Sequence, residues 1–296
     1  MGKTGNLQKK VFIIIVTYNG ERWIQKNLES IKQSIYPVTT IVLDNGSSDE
    51  TLSIIKTFSG VQLMPLNVNL GFGKANNIAI QEALEQEADY VFLLNQDAWV
   101  FPETIGNLIL VAEKNKDFGI VSPLHFSGDG TTLDENFVTY WNRKNKSISD
   151  SVDEVPFVNA AAWLIPKPVI SKVGFFEPMF SHYGEDRNFA YRVLFHHFKI
   201  VIAKDAKICH DRLIKRHYKK DITQSKFKIL TDVLNVNDSI VMSYLKGFRS
   251  VLGLPKYFSK FYSLLKVIKL FLILIGYFIQ LKLSVFKIYK VRSSYR

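Results

Sequence analysis

Strand-length apolar runs alternate with amphipathic helical stretches through the first 125 residues of the chain. The predicted strands are Val11 to Thr17, Thr40 to Asp44, Val61 to Leu66, Tyr90 to Asn95 and Gly119 to Ser122. The predicted helices lie near residues 21–34, 49–58, 72–87 and 102–115. This alternation is typical of an α/β fold with a mainly parallel sheet, and the continuous hydrophobicity of the strands indicates that both faces are covered.

The rest of the chain predicts a longer body and a helical C-terminal region. Residues 126–155 are rich in Gly, Asp, Ser, Thr and Asn without clear periodicity, which predicts a loop or hairpin insertion suited to acceptor-specific elements. Further elements of the body are the apolar block 157–166, a helix after Gly184, and strands at 199–203 and 206–211. We therefore expect an α/β domain over residues 1–211 and a helical region over residues 212–296.

The two parts of the chain carry opposite charge. Residues 212–296 hold 18 Lys and Arg against 3 Asp and Glu, a net +15, whereas residues 1–211 hold 20 against 24, a net −4. The basic residues are interleaved with apolar stretches such as residues 270–279, which favours an anionic membrane surface over nucleic acid. That run is about half as long as a spanning helix needs, and lysines bracket it, so we expect a helix lying in the membrane interface. A helix buried against the body is the alternative.

Cysteine content and the N-terminal residues bear on the compartment. Cys209 is the single cysteine, so no intramolecular disulfide can form and an oxidising compartment is not implied. Residues 1–10 contain no apolar segment of a secretory signal. We therefore expect a cytoplasmic protein that associates peripherally with the inner face of the cell membrane.

Polar residues follow the ends of the predicted strands. In open α/β sheets, ligands bind beyond the carboxyl ends of the strands, so these positions are candidates for ligand binding. They are Thr17-Tyr18-Asn19-Gly20 after the first strand, residues 44–49 after the second, Asn95-Gln96-Asp97 after the fourth, and Asn67, Asn69, Gly71 and Gly73 in the third connection.

Gly71 and Gly73 do not form a classical dinucleotide signature, because Asn76 replaces the third glycine and the segment does not follow the first strand. The two glycines could let the backbone approach a ligand, with Lys74 near an anionic group. A plain turn from loop to helix is the alternative.

Carboxylates recur at the same predicted edge. Asp44 and Asp97 follow strands, and Glu185 and Asp186 open a helix, where caps and helix-dipole partners are the alternative interpretation. Asp97 suits Mg²⁺ or Mn²⁺, which commonly completes its coordination with water and substrate phosphates. His210, at the end of a strand, could be a further ligand, or a histidine with a structural role.

Seven blocks in the same order resemble the family 2 glycosyltransferases, and within them the rhamnosyltransferase-like group, over roughly residues 11–211. The blocks are VTYNG (16–20), LDNGSSDET (43–51), NLGFGKANN (69–77), LLNQDAWV (93–100), NAAAWLIP (159–166), GFFEPMF (174–180) and GEDRNFAYRV (184–193). The resemblance implies a GT-A fold with a mixed, mainly parallel central sheet that binds a nucleoside-diphosphate sugar across its carboxyl edge.

The resemblance also implies a role for each candidate. Positions that hold the base, ribose or diphosphate match Thr17, Tyr18, Asp44 and Lys74, and the predicted donor-binding set is completed by Asn19, Asn69, Gly71, Asn95 and Gln96. Asn95-Gln96-Asp97 stands where the family has its Asp-x-Asp metal motif. The first acid is absent, as is usual in the rhamnosyltransferase-like group, so Asp97 alone must hold the cation there. His210 matches the late metal-ligand histidine.

Two carboxylates and one indole complete the predicted site. Asp186 aligns with the catalytic base of the Glu-Asp motif, and Glu185 is expected either to orient it or to bind the acceptor. Trp163 is expected to form a stacking wall for the sugar or the acceptor, with core packing as the alternative.

The implied activity is inverting transfer of one sugar, with dTDP-rhamnose as the suggested donor and a saccharide or lipid-linked saccharide as the acceptor, in cell-surface polysaccharide synthesis. The implied cofactor is Mg²⁺ or Mn²⁺. A processive synthase would carry a Gln-x-x-Arg-Trp motif after the base, which this sequence lacks, so transfer of a single sugar is favoured. A nucleotidyltransferase would carry a glycine-rich basic segment where this sequence has TYNG, so that alternative is disfavoured. A membrane-docked nucleotide-sugar-binding scaffold without turnover is disfavoured because Asp97, Asp186 and His210 are intact.

Overall fold

A computed structural model describes residues 8–212 and 216–296. The strands are β1 (Val11–Thr17), β2 (Thr39–Asp44), β3 (Val61–Pro65), β4 (Tyr90–Leu94), β5 (Ala98–Val100), β6 (Phe118–Ser127), β7 (Lys146–Ser149), β8 (Val152–Glu154), β9 (Ala162–Pro166) and β10 (Lys199–His210). The helices are α1 (Ile24–Lys32), α2 (Thr51–Lys56), α3 (Phe72–Glu85), α4 (Thr104–Lys114), α5 (Glu135–Trp141), α6 (Lys167–Val173), α7 (Glu185–Phe195), α8 (Tyr218–Val233), α9 (Ile240–Phe258), α10 (Leu264–Leu283) and α11 (Val285–Ser294).

The chain divides into two compact units. The first unit comprises Met1–Lys172 and Phe198–Arg212, and the second comprises Val173–His197 and Leu213–Arg296. The segment that contains α7 therefore groups with the C-terminal helices, which differs from the division expected between residues 211 and 212. Packing and a hydrogen bond account for this grouping, because Phe180 lies in the core of the C-terminal helices and Asn237 Nδ2 donates to Tyr191 O at 2.8 Å.

A mixed sheet forms the centre of the first unit. Its strand order is β3-β2-β1-β4-β9-β6-β10-β8-β7, and β5 pairs with β10. Strands β3, β2, β1 and β4 run parallel to one another, while β9 lies antiparallel to both β4 and β6. The predicted α/β architecture with a mixed sheet is confirmed.

The apolar strands lie between helices because both of their faces are hydrophobic. Ile13, Ile14 and Ile15 are all fully buried, as the continuous apolar run of β1 predicts. One face of the sheet packs with the apolar side of α1, including Leu28, and of α4, including Leu108. Because β1 pairs in parallel with both β2 and β4, the carboxyl ends of these three strands lie side by side at one edge of the sheet.

The later elements differ from the sequence-based expectation in two places. A single strand, β10, replaces the two strands predicted at 199–203 and 206–211, and its register with β6 shifts between Ala203 and Lys207. The insertion at 126–155 contains α5 and the β7–β8 hairpin, and Asp134 caps α5 by accepting a hydrogen bond from Phe137 N.

The second unit has its own core, built from α8, α9, α10 and α11 with Phe180. Two buried arginines fasten its segments. Arg192 donates to the carbonyls of Val173 and Phe175, and Arg292 donates to the carbonyls of Val233 and Asn235. Burial lowers the pKa of Arg192 to about 10, so the side chain remains charged at neutral pH and satisfies those carbonyls.

Candidate active site

Gln96 joins the ends of β1 and β4 at the carboxyl edge of the first unit. Its Oε1 accepts hydrogen bonds from Thr17 Oγ1 at 2.7 Å and from Tyr18 N at 2.9 Å. A Cβ atom at Gly20 would lie 2.5 Å from the same Oε1 and 2.6 Å from Thr17 Oγ1, so a larger residue there would displace these side chains. The predicted donor-binding residues Thr17, Tyr18 and Gln96 are therefore brought together, and the Tyr18 side chain remains 46% exposed.

Asp44 is fully buried and shapes the turn after β2. Its carboxylate accepts hydrogen bonds from Gly46 N at 3.2 Å and Ser47 N at 3.0 Å, and also from the Ser47 hydroxyl. Asn19 connects this turn to β1, because its Oδ1 accepts from Ser48 N at 2.9 Å. Asp44 thus organises the backbone at this edge.

Asn45 fixes the loop that leads into α3. Its Oδ1 accepts from Leu70 N at 2.8 Å, and its Nδ2 donates to Asn69 Oδ1 at 2.9 Å. Asn69 Oδ1 also accepts from Gly71 N at 2.8 Å. Asn45 lies among the strand-end candidates at residues 44–49 but is not in the donor-binding set that the resemblance implies, and its position inside the LDNGSSDET block is the signal that identifies it.

Helix α3 begins directly after this loop. Gly71 precedes it with φ of +82°, a left-handed conformation that favours glycine, and Lys74 is exposed in the first helical turn. Helix N-termini bind anions through backbone N–H groups and the helix dipole. The loop and Lys74 therefore form a surface suited to a phosphate group.

Asp97 and His210, far apart in sequence, lie side by side. Antiparallel pairing of β10 with β5 places His210 opposite Ala98, and Asp211 N donates to Asp97 O at 2.8 Å. The distance between Asp97 Oδ1 and His210 Nε2 is 3.2 Å. The Asp97 side chain is 24% exposed and that of His210 is 3% exposed, so the carboxylate is the more accessible of the two.

A chain of contacts continues behind His210. Arg212 Nε donates to His210 Nδ1 at 3.2 Å and lies 3.0 Å from Asp134 Oδ2, at the cap of α5. The His125 ring stands 6.1 Å from the His210 ring, and burial holds the pKa of His125 well below its usual value. Sequence reasoning missed Arg212 and His125, because only the pairing of β10 with β5 and β6 brings them to this point.

Asp97 and His210 offer atoms of the kinds that bind divalent cations. A carboxylate oxygen and an imidazole nitrogen are both acceptable ligands for Mn²⁺. Within residues 8–212 and 216–296, no group of three or more His, Cys, Asp or Glu could hold a metal. Asp97 and His210 would therefore need water or substrate phosphates to complete the coordination.

Two other predicted residues of the first unit are Trp163, which is buried, and Asn95, which is partly exposed. Trp163, on β9, is fully buried, and an indole needs an accessible face to stack on a sugar. The structure therefore supports core packing at this position, which corrects the expected stacking wall. Asn95 lies in a turn, where its backbone N–H donates to Ala161 O and its carbonyl accepts from Ala98 N.

The predicted base lies in the second unit, where Gly184, Glu185 and Asp186 open α7. Gly184 has φ of +88°, and a Cβ atom there would lie 2.7 Å from Thr231 Oγ1. Glu185 is buried, and Oε2 has no hydrogen-bond partner among the residues that the structure describes. Burial, followed by the charge of Asp186, raises the pKa of Glu185 to about 7. Asp186 itself is half-buried in the first turn of the helix.

Comparison with known proteins identifies the family. A dTDP-rhamnosyl transferase of Shigella flexneri is 25% identical over 218 residues, which is 69% of this chain and 70% of that protein. An N-acetylglucosaminyl-diphospho-decaprenol L-rhamnosyltransferase of Mycobacterium tuberculosis is 23% identical over 205 residues, 59% of this chain and 67% of that protein. A mannosyltransferase from Pyrobaculum calidifontis, solved with GDP-Man and Mn²⁺, has a TM-score of 0.61 at 14% identity and covers 93% of this chain and 87% of its own.

The structural likeness shows that the chain has the predicted GT-A fold. The model of the family described as "Glycosyl transferase family 2" matches residues 12–172, more than half of the chain and all of the strands β2 to β4 whose ends form the site. The chain therefore belongs to glycosyl transferase family 2.

Proposed function

We propose that this glycosyltransferase moves a single rhamnose from dTDP-rhamnose to a saccharide or lipid-linked saccharide acceptor, with inversion at the anomeric carbon. The observation that carries the proposal is the Asp97–His210 pair, which lies after β4 at the carboxyl edge of the sheet, where β5 begins and pairs with β10. Family membership makes nucleotide-sugar transfer in polysaccharide synthesis the function, and disfavours both the nucleotidyltransferase and the scaffold alternatives. Rhamnose is proposed because both curated relatives named above are rhamnosyltransferases.

The donor would lie across the ends of β1, β2 and β4. The exposed Tyr18 ring offers a surface for the nucleoside, and the N-terminus of α3 with Lys74 offers one for the diphosphate. Asp44 would act by holding the turn at residues 44–47, since its oxygens already accept backbone and hydroxyl hydrogens.

The proposed cofactor is Mg²⁺ or Mn²⁺, held by Asp97 and His210. When bound, such a cation neutralises the charge that develops on the leaving diphosphate. Arg212 bears on this site because its Nε donates to His210 Nδ1, on the side of the ring away from Asp97. His210 would offer the cation an imidazole nitrogen, and Arg212 would act by positioning that ring.

Asp186 is the proposed general base. Its carboxylate would take the proton from the acceptor hydroxyl as that oxygen bonds to the anomeric carbon and the bond from that carbon to the diphosphate oxygen breaks. A single displacement of this kind inverts the configuration. Glu185, with a pKa near 7, would act beside Asp186 by orienting it or by binding an acceptor hydroxyl.

The acceptor is proposed to be a lipid-linked saccharide at the cytoplasmic face of the membrane, and the basic helical region over residues 212–296 is proposed to attach the protein there. The M. tuberculosis relative is named for a diphospho-decaprenol acceptor, which supports this assignment. The excess of Lys and Arg in that region supports it independently.

A donor screen tests the proposal. The protein is incubated with dTDP-rhamnose, UDP-N-acetylglucosamine or GDP-mannose, an acceptor lipid extract and Mn²⁺, and the free nucleoside diphosphate is measured. We expect acceptor-dependent release of dTDP only, and a loss of at least about 100-fold in Asp97→Asn. Asp117→Asn, at an exposed carboxylate of the same unit, is the matched control. Release of UDP or GDP in place of dTDP would reject the rhamnose assignment, and undiminished turnover by Asp97→Asn would reject the cation site.

A further inference from the structure

The outward side of α10 is an apolar surface that the protein leaves uncovered. Leu265, Ile268, Leu272, Ile279 and Leu283 recur at helical spacing and are between 46% and 82% exposed. We call these five residues the α10 outer stripe. At a rise of about 1.5 Å per residue, the stripe extends about 27 Å along the helix. An exposed apolar stripe of this length indicates an interaction site.

The opposite side of α10 is occupied by protein along its whole length. Leu270, Leu274, Phe278 and Leu281 are buried in the core of the second unit. Hydrogen bonds fasten the helix near both ends, because Tyr218 Oη of α8 donates to Lys266 O at 2.6 Å and Tyr244 Oη of α9 donates to Leu281 O at 2.9 Å. Only one side of α10 is therefore available to another surface.

This packing argues against an orientation that crosses a membrane, although α10 is the one helix in the described part of the chain that is long and apolar enough to do so. Lys226 of α8 lies with its Nζ 5.7 Å from the centre of the Tyr277 ring, within the second half of α10. A crossing α10 would carry such lysines into the hydrocarbon, where an ammonium group is costly.

Charge identifies the partner. From residue 256 to residue 290 the chain holds seven lysines and no acidic residue, and all seven lysines are exposed. The three acids of residues 212–296 are already paired, Asp221 with Arg216, Asp232 with Lys228 and Asp238 with Lys246. The acids of residues 212–296 thus leave the basic charge around the stripe unneutralised, and this charge would repel the same surface of a second copy while attracting anionic lipid.

We propose that the α10 outer stripe docks on an anionic lipid bilayer with the axis of α10 parallel to the membrane plane. The leucine and isoleucine side chains enter the boundary between headgroups and acyl chains, and Lys266, Lys269 and Lys282 remain at the phosphates. Phe286, which is 87% exposed at the start of α11, extends the apolar contact. This inference specifies the surface and orientation of the membrane attachment proposed above, and it does not depend on sugar transfer.

Vesicle binding tests the surface. The full-length protein is sedimented with vesicles of phosphatidylcholine alone and of phosphatidylcholine with about 30 mol% phosphatidylglycerol. We expect binding to the anionic vesicles, and binding at least about tenfold weaker for the double variant Leu265→Gln, Leu272→Gln. The matched control is Ile35→Gln, Leu110→Gln, which changes two comparably exposed apolar residues of the first unit and should bind as the wild type does.

Depth measurements test the orientation. Nitroxide labels on cysteines introduced at Leu265, Leu272 and Leu283, in a Cys209→Ser background, should report equal depths if α10 lies in the plane. A crossing helix would place the label at Leu272 deepest and the other two near opposite surfaces, which would overturn the proposal.

Other outcomes also reject it. Unchanged vesicle binding by the double variant excludes the stripe as the docking surface. A wild-type dimer in solution that the double variant dissociates, without vesicle binding by either protein, assigns the surface to a second copy of the chain. Binding to vesicles needs no nucleotide sugar. A negative donor screen would therefore leave the docking proposal standing, and a failure of vesicle binding would leave the proposed sugar transfer standing.

Discussion

Replacing Asn45 with alanine should loosen the loop that leads into α3 without removing any group proposed to touch the donor. Two side-chain hydrogen bonds are lost, one from Leu70 N at 2.8 Å and one to Asn69 Oδ1 at 2.9 Å. Each is worth about 1 kcal/mol net, and the Leu70 N–H left without its acceptor costs roughly 1 kcal/mol more. We therefore expect the free energy of unfolding of the first unit to fall by about 2–3 kcal/mol.

The same substitution should weaken nucleotide binding. The loop around Asn69 and Gly71 would have to be ordered when the diphosphate binds, and ordering a residue costs about 1–2 kcal/mol. The affinity for dTDP should consequently fall at least about tenfold, while kcat at saturating donor changes less. Urea unfolding followed by tryptophan fluorescence measures the first effect, and isothermal titration calorimetry with dTDP measures the second.

Asn107→Ala is the control for this experiment. It removes one exposed hydrogen bond, from Asn107 Nδ2 to Asp205 O at 2.7 Å, at a position on α4 distant in sequence from the loop. A loss below about 1 kcal/mol and an unchanged affinity for dTDP are expected. Wild-type stability together with wild-type dTDP affinity in Asn45→Ala would refute the reasoning that this side chain positions the donor loop.

Three further predictions concern the opening of α7. Gly184→Ala should destabilise the second unit by at least about 2 kcal/mol in urea unfolding, because alanine is strained at positive φ and its Cβ would meet Thr231. Glu185 ionises more easily in the unfolded chain, because its pKa in the folded protein is raised to about 7. The free energy of unfolding of the wild type should therefore fall as the pH rises from about 5 to about 7, and this fall should be absent in Glu185→Gln. Asp186→Asn should reduce turnover by about 10²- to 10⁴-fold with dTDP affinity unchanged in calorimetry, and normal turnover would remove it from the mechanism.

The first four strands could be predicted from sequence to within one residue at each end, because a buried parallel strand is a continuous apolar run bounded by polar residues. The extent of the fifth predicted strand, Gly119 to Ser122, could not be predicted. β6 extends from Phe118 to Ser127, although Pro123 interrupts the sequence pattern. That proline lies where the register with β10 shifts, so its missing N–H is tolerated in the ladder.

For the candidate site, too, some features could be predicted from sequence and others could not. Residues at strand ends, such as Thr17 and Asp97, could be selected from sequence because the carboxyl edge of a parallel sheet follows from strand order. The role of a selected residue could not be foreseen from its type. Asp44 uses its oxygens on its own turn, and Trp163 is enclosed in the core.

What the sequence by itself determined is local: the alternation of strands and helices, the polar strand ends, the seven family blocks and the basic, apolar C-terminal region. These follow from periodicity, charge and turn chemistry over a few residues. Only the tertiary structure decided that His210 lies beside Asp97, that Asn45 holds the loop before α3, and that one side of α10 is buried while the other is exposed. Such outcomes depend on strand pairing and helix packing between distant segments, and no short stretch of sequence encodes them.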